Sequence, residues 1–349
     1  MKIQDRKVYL DILKIFACFA VILQHNADLS ITEPNVWGVH FLFYYIGRFA
    51  VPIFVMASGV LLLDEHKSIT IRSIFIKYIP RIIFPLITIV YVMEMTDMFL
   101  TKQYTWKILY RPIIHVGTNS VSIPYWYIYM LIGLYMILPF VRKIVHQSSK
   151  KELEYFLLLF FSVRAVVPFL DIVTRSTVWS KVVNSFMLNI FSGYMALLVL
   201  GYYLNRYAKQ YKTILLLIID FAVVFLPLLY VFAFAEDKYN TGLFFADIFS
   251  ANMLIHSILL FLIVKNICNG LNEMCKEKIV WISGMTFGIY ILHVYIMQMF
   301  NLIGIKEYNW GWFQIPACAL LNFIVCMGII SIGRVLRISR EKELWKKIK

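Results

Sequence analysis

The sequence predicts an all-α, polytopic membrane protein of ten transmembrane helices with both termini in the cytoplasm. Three observations predict it. The 349 residues are 61% hydrophobic and 15% charged, with a mean hydropathy of +0.74, whereas soluble domains run near ~45–50% apolar and ~25% charged. Apolar runs long enough to cross a bilayer recur along the whole chain, and the basic residues collect on alternate connections. Ten spans of about 20 residues use about 200 residues, leaving enough for connections but not for a tethered soluble domain. Residues 1–349 are therefore read as a single ten-helix transmembrane domain.

The first span, 8–29, follows Lys2, Arg6 and Lys7 and has no small-residue cleavage site behind it, so it reads as a helix and not as a signal peptide. The second, 38–63, ends before Lys67 and Arg72. The third, 73–97, opens on Lys77, Pro80 and Arg81. The fourth, 125–143, starts in an aromatic run and closes on Arg142 and Lys143, and the fifth, 153–172, follows Lys150 and Lys151. The sixth, 185–204, leads to Arg206, Lys209 and Lys212, after which come the seventh, 213–235, and the eighth, 243–264, closing on Lys265. The ninth, 279–301, follows Lys276 and Lys278, and the tenth, 313–337, runs into a basic tail. With the N-terminus inside, 24 of the 34 Lys and Arg fall on inner segments and 7 on outer ones. That asymmetry sets the orientation and accounts for the net charge of +14 without a nucleic-acid partner. The longest outer connection, 98–124, carries Trp106, Tyr110 and His115, and reads equally as a cover on a cavity or as an aromatic-anchored interfacial loop.

The five cysteines are odd in number and show no metal-ligand spacing, so neither a disulfide framework nor a metal site is expected. The polar residues inside the spans carry more information, because an ionisable side chain in lipid costs several kcal/mol unless it is paired or wet. In the first span Lys14 and His25 stand 11 residues apart, which is about 20° around a helix and about 16 Å along it. Asp11 lies on the same side. The stripe reads as the lining of a cavity, in which a neutral imidazole takes a proton from a hydroxyl. Taken singly, Asp11 and Lys14 also read as an interfacial pair with a snorkelling lysine, and His25 as an interfacial residue. Arg48, ahead of Pro52, is directed into the bundle or snorkels outward. Lys77 and Arg81, at i and i+4, form with Lys14 a basic inner funnel suited to a phosphorylated cytosolic ligand, or simply anchor the inner surface. Tyr290 and His293 share a helix face, which packing alone would explain.

At this point the residues resemble the acyltransferase 3 family of bacterial membrane proteins. The resemblance rests on Leu10-Asp11-Ile12-Leu13-Lys14 with its ten-residue gap to His25, on Val51-Pro52-Ile53-Phe54-Val55-Met56-Ala57-Ser58-Gly59, and on the basic, proline-containing start of the third span. The aromatic run Pro124-Tyr125-Trp126-Tyr127 and the segment Phe287-Gly288-Ile289-Tyr290-Ile291-Leu292-His293 complete it in the family's order. The chain departs from that pattern in having Lys14 for the more usual Arg, and Lys77-x-x-x-Arg81 with Tyr78 where the family has Arg-x-x-Arg. The resemblance implies an O-acyltransferase, usually an acetyltransferase, of the bacterial cytoplasmic membrane. Such an enzyme uses cytosolic acetyl-CoA or another acyl-CoA, without a metal, to esterify a hydroxyl of an envelope polysaccharide or lipid-linked glycan. It implies His25 as catalytic base or transient acyl carrier, and Lys14, Lys77 and Arg81 at the CoA phosphates. Asp11, Arg48, Trp126, Tyr290 and His293 complete the expected donor and substrate contacts. Two other classes stand beside it: a transporter or exporter of a glycan or small molecule, and a non-catalytic subunit of a polysaccharide synthase.

Overall fold

The computed structural model describes residues 6–27, 34–191, 193–305 and 311–348. Every regular element among them is helical, since in lipid a helix satisfies its own backbone where no water is available. In chain order the main helices are α1 (Val8–Asn26), α2 (Trp37–Leu62), α3 (Ile71–Thr101), α4 (Trp126–Gln147), α5 (Lys150–Val173), α6 (Tyr194–Tyr207), α7 (Thr213–Ala233), α8 (Ala251–Gly270), α9 (Glu273–Ser283), α10 (Thr286–Leu302) and α11 (Gln314–Leu336). All but α6, α9 and α10 are individually long and apolar enough to cross a bilayer. α9 and α10 meet at a 50° bend and are long and apolar enough only as a pair.

The described residues thus hold eight such helices, or nine with the bent pair, where the sequence suggested ten. The difference lies in the expected sixth span, 185–204. Its first part is taken by the end of a short helix, Val178–Ser185, and a turn at Leu188–Phe191, with Met187 at φ 51°. Gly193 is extended at the head of α6, which has only 14 residues, about 21 Å of helix. Residues Ala196 to Gly201 are all buried. A hydropathy window cannot distinguish a short helix enclosed by protein from one that faces lipid. The enclosure is tight: a Cβ on Gly59 of α2 would collide with the Leu198 carbonyl, and one on Gly201 of α6 with the Met56 carbonyl.

α1 is the pivot of the bundle. It packs on α2 along one side and on α8, α9, α10 and α11 along others, burying Leu10, Leu13, Ala17, Cys18, Val21 and Ile22. α7 and α11 instead present Ile218, Phe221, Ile324 and Ile332 outward, as a lipid-facing surface should. α3 and α5 each begin with a capping box, Thr70 with Ser73 and Ser149 with Glu152, and each contains a π-helical turn, at Ile74–Tyr78 and Ser162–Val166. Such turns put one extra residue into the helix and re-aim the side chains they carry. The connection 98–124 is docked and not free. Glu94 pairs with Arg111 at 3.1 Å and His115 at 2.8 Å, and the Tyr129 hydroxyl donates to the Val116 carbonyl at 2.7 Å. Trp106 and Leu109 stay about 70% exposed, the disposition of an interfacial anchor.

Candidate functional site

Three polar groups occupy this apolar bundle, and α1 runs past two of them. In its last turn the His25 ring stacks on His293 of α10, with centroids 5.8 Å apart and planes 29° from parallel. His293 is fully buried and its Nδ1 lies 2.5 Å from the Tyr290 carbonyl. A carbonyl only accepts, so Nδ1 carries the proton and the Nε2 of the neutral ring keeps its lone pair. That Nε2 is buried without a partner, as are Gln24 Oε1 and Asn26 Oδ1, which flank His25 in sequence. Buried polar atoms left unpaired are costly, and the unpaired His293 Nε2 beside the half-buried His25 imidazole suits a place for another polar molecule. The Asn322 amide donates to the His293 carbonyl at 3.0 Å, and Cys326 donates to Asn322 Oδ1 at 3.2 Å, so the ring's backbone is fixed from α11. Tyr290 stands 5.5 Å from His293 and 5.6 Å from Tyr127, and its hydroxyl donates to the Pro124 carbonyl.

At the other end of α1 the residues are basic. Asp11 is buried and receives two hydrogen bonds from Arg6, at 2.7 and 2.8 Å, and one from the Ser283 hydroxyl at 2.6 Å. The bond to Asp11 raises the pKa of Arg6, which stays charged. Ser283 is the last residue of α9, so Asp11 ties α1 to the bend. The carbonyls exposed by the bend are used as well: Thr286 donates to Ser283 at 2.8 Å and Arg334 to Gly284. Lys14 is half-buried one turn further on, close enough to Asp11, Arg6 and Lys67 to feel their charges.

Lys67 belongs to a group that sequence reasoning did not single out. Its ammonium lies 5.6 Å from the centre of the Tyr78 ring and that of Lys77 lies 6.0 Å from it. Arg142 of α4 is buried and donates to the Leu62 carbonyl, to Asp64 at 3.0 Å and to Lys67 at 2.5 Å, fixing the connection after α2. Burial, then Lys77 and Arg142, lower the pKa of Lys67. Arg81 is exposed, and no hydrogen bond, ion pair or ring contact joins it to this group among the described residues. Lys77 lies on the π turn Ile74–Tyr78 and Arg81 on the regular helix that follows it.

The third group lies beyond His25. Arg48 sits where α2 turns, at residues 48–49, just ahead of Pro52, which cannot donate to the helix ladder. Its Nε donates to the Ala246 carbonyl at 2.7 Å and its guanidinium lies 5.0 Å from the Tyr44 ring centre. It is within electrostatic reach of both His25 and Tyr194. The Trp126 and Tyr194 rings are 5.8 Å apart, and Tyr194 is 5.0 Å from Phe249. Arg164, on the π turn of α5, covers Phe249 at 4.2 Å and reaches Asp247 at 4.0 Å. The structure thus divides the expected residues three ways. His25, His293 and Tyr290 come together, Lys14, Asp11 and Lys77 lie at the basic end, and Arg48 and Trp126 lie by Tyr194, which Phe249 joins to Arg164. Arg81 stands apart.

The sequence profile of the acyltransferase 3 family, described as an acyltransferase domain, matches residues 7–331. Proteins of Staphylococcus aureus strains MSSA476, MW2 and N315 are each 23% identical to this chain over 354 residues, covering 96% of it and 93% of their own length. Each is named a probable poly-beta-1,6-N-acetyl-D-glucosamine export protein. No solved structure matches.

Proposed function

Starting from the fact that this chain belongs to the acyltransferase 3 family and spans the membrane several times, we propose that it moves an acyl group from cytosolic acyl-CoA to a hydroxyl of an envelope glycan. The acyl group we favour is acetyl. The observation that carries this reading is the pairing of His25 with His293 at one end of a helix whose other end is cationic at Lys14. The two ends are about 16 Å apart on one helix stripe. In this reading the basic end faces the cytoplasm, as positive residues do.

The chemistry follows from that polarity. Cations at Lys14, Lys67 and Lys77 hold the phosphates of CoA at the inner mouth, leaving the thioester to reach inward. His25, as neutral imidazole, takes the proton of the acceptor hydroxyl while its oxygen attacks the thioester carbonyl. A C–O bond forms, the C–S bond breaks, and the thiolate leaves with the proton returned by the imidazolium. The products are an ester and free CoA thiol. No energy source beyond the thioester is needed. His293 does not touch the reacting atoms in this scheme. Its ring supports that of His25, and its unpaired Nε2 offers an acceptor to a neighbouring, non-reacting hydroxyl of the acceptor sugar.

One observation favours a second reading: the relatives matched over nearly the whole chain are named as exporters of a β-1,6-linked N-acetylglucosamine polymer. The two readings are separated by purified protein in vesicles supplied with radiolabelled acetyl-CoA inside and a β-1,6-linked N-acetylglucosamine oligosaccharide outside. Label appearing as alkali-labile ester on the outer saccharide, lost in His25→Ala, supports acyl transfer. Saccharide crossing the membrane without ester formation, unchanged in His25→Ala, supports export instead.

A further inference from the structure

Arg164 is an arginine in mid-helix whose position no packing requirement explains. It lies 14 residues into α5, about 21 Å from Lys150 along the helix axis, and the π turn that carries it costs α5 its regular hydrogen-bond ladder. Its Nε is buried without a partner, while its guanidinium reaches only to 4.0 Å from Asp247, a half-exposed carboxylate that accepts from the Phe249 N–H at 2.8 Å. A part-buried charge in mid-helix with spare donor capacity is costly in lipid unless something uses it. Around it stand three aromatic rings, Trp126, Tyr194 and Phe249, in contiguous contact at 5.0–5.8 Å. A second guanidinium, Arg48, is within electrostatic reach of both this group and His25.

Resting on the acyl-transfer reading above, we infer that Arg164, Asp247, Tyr194 and Trp126 form the subsite that holds a sugar ring of the acceptor glycan, with Arg48 bridging it to His25. The chemistry is that of hydroxyl recognition. Apolar ring faces of the saccharide lie on Trp126 or Tyr194, and the guanidinium and carboxylate together offer donors and acceptors to neighbouring hydroxyls. Arg164 stands on the π turn of α5 with its guanidinium over the Phe249 ring. Arg48 completes the path: it is fixed by the Ala246 carbonyl, one residue before Asp247, so the wall that positions the sugar also positions the guanidinium beside the catalytic imidazole.

The test uses the full chain in lipid nanodiscs with a short β-1,6-linked N-acetylglucosamine oligosaccharide, comparing wild type with Arg164→Gln and Arg164→Lys. Calorimetric binding of the saccharide should weaken about tenfold or more in Arg164→Gln, the loss of one charge-assisted hydrogen bond, and less in Arg164→Lys. In turnover, the KM for saccharide should rise relative to the KM for acetyl-CoA. Because binding is read without chemistry, the two ideas fail separately. Saccharide binding that depends on Arg164 in a protein that makes no ester keeps the subsite and removes acyl transfer. Ester formation with an unchanged saccharide KM in Arg164→Gln removes the subsite and keeps acyl transfer. Absence of saccharide binding by the wild type overturns the subsite outright.

Discussion

His25 and His293, 268 residues apart in sequence, stack ring on ring where α1 meets α10. In the proposed reaction His25 moves the proton and His293 supports it, so the two substitutions separate. His25→Ala should lower the rate of ester formation by about 10²–10⁴-fold, the usual worth of a general base. His293→Asn should act mainly through kcat, by a smaller factor, since it removes the ring support and the Nε2 acceptor but not the base. Initial rates with acetyl-CoA and oligosaccharide, at matched membrane abundance, decide this. Equal loss in both variants would place the two imidazoles in one proton path.

The Asp11 clamp gives a different prediction. Two bonds from Arg6 and one from Ser283 converge on a buried carboxylate and hold α1 against the bend between α9 and α10. Removing the carboxylate leaves the buried Ser283 hydroxyl without its acceptor and the part-exposed Arg6 without its counter-charge, which water compensates in part, at a cost of about 1–3 kcal/mol. Asp11→Ala should therefore lower the thermal midpoint markedly in detergent. Asp11→Asn keeps the shape and an acceptor for Ser283, and should lie between. A substrate-binding role alone would leave the midpoints of both variants at the wild-type value.

The glycine contacts between α2 and α6 are predicted to be intolerant. A Cβ at Gly59 or Gly201 meets a carbonyl of the facing helix, and backbone cannot step aside as a side chain can. Gly59→Ala and Gly201→Ala should each reduce folded yield, whereas Gly133→Ala, with nothing near its new methyl, should be neutral or stabilising by up to ~1 kcal/mol through helix propensity. Fluorescence-detected size exclusion and melting of the three proteins side by side would show it.

These contacts mark where the sequence could be read and where it could not. Lys14 and His25 share a stripe because α1 is one regular helix, so an 11-residue spacing survives folding intact. Tyr290 and His293 do meet, at 5.5 Å, as their i,i+3 spacing suggests. Of the expected pair Lys77 and Arg81, Lys77 lies by the Tyr78 ring at the basic end and Arg81 is exposed. Arg164 falls within the expected fifth span, but its partner Asp247 is 83 residues away and no periodicity links them. Helices that are apolar all round carry no moment to say which face meets which neighbour, and that is why the pairing of His25 with His293 was invisible. At the expected sixth span the same limit applies: Ala196–Gly201 is as apolar when enclosed by protein as it would be in lipid, so hydropathy does not show that its regular helix has only 14 residues.

The last prediction concerns Lys67, which trades stability for binding. Burial first, and then the charges of Lys77 and Arg142, hold its pKa below the ordinary lysine range. The unfolded chain therefore binds the Lys67 proton more tightly than the folded one. Between the lowered value and the ordinary one the unfolded state carries more protons, so this group's contribution makes stability rise with pH across that window. Lys67→Met removes the repulsion, and should raise the melting temperature at neutral pH while flattening its increase towards alkaline pH. A bound polyphosphate supplies the counter-charge that Lys67 lacks and favours its protonated form. CoA affinity should therefore fall as pH climbs through the lowered pKa, and Lys67→Met should weaken it about tenfold at neutral pH, the scale of one charge-assisted contact. Melting curves and CoA calorimetry across pH 6 to 10 measure both slopes. A variant that gains stability with no loss of CoA affinity would move the phosphate contacts away from Lys67, to the remaining cations at this end of α1.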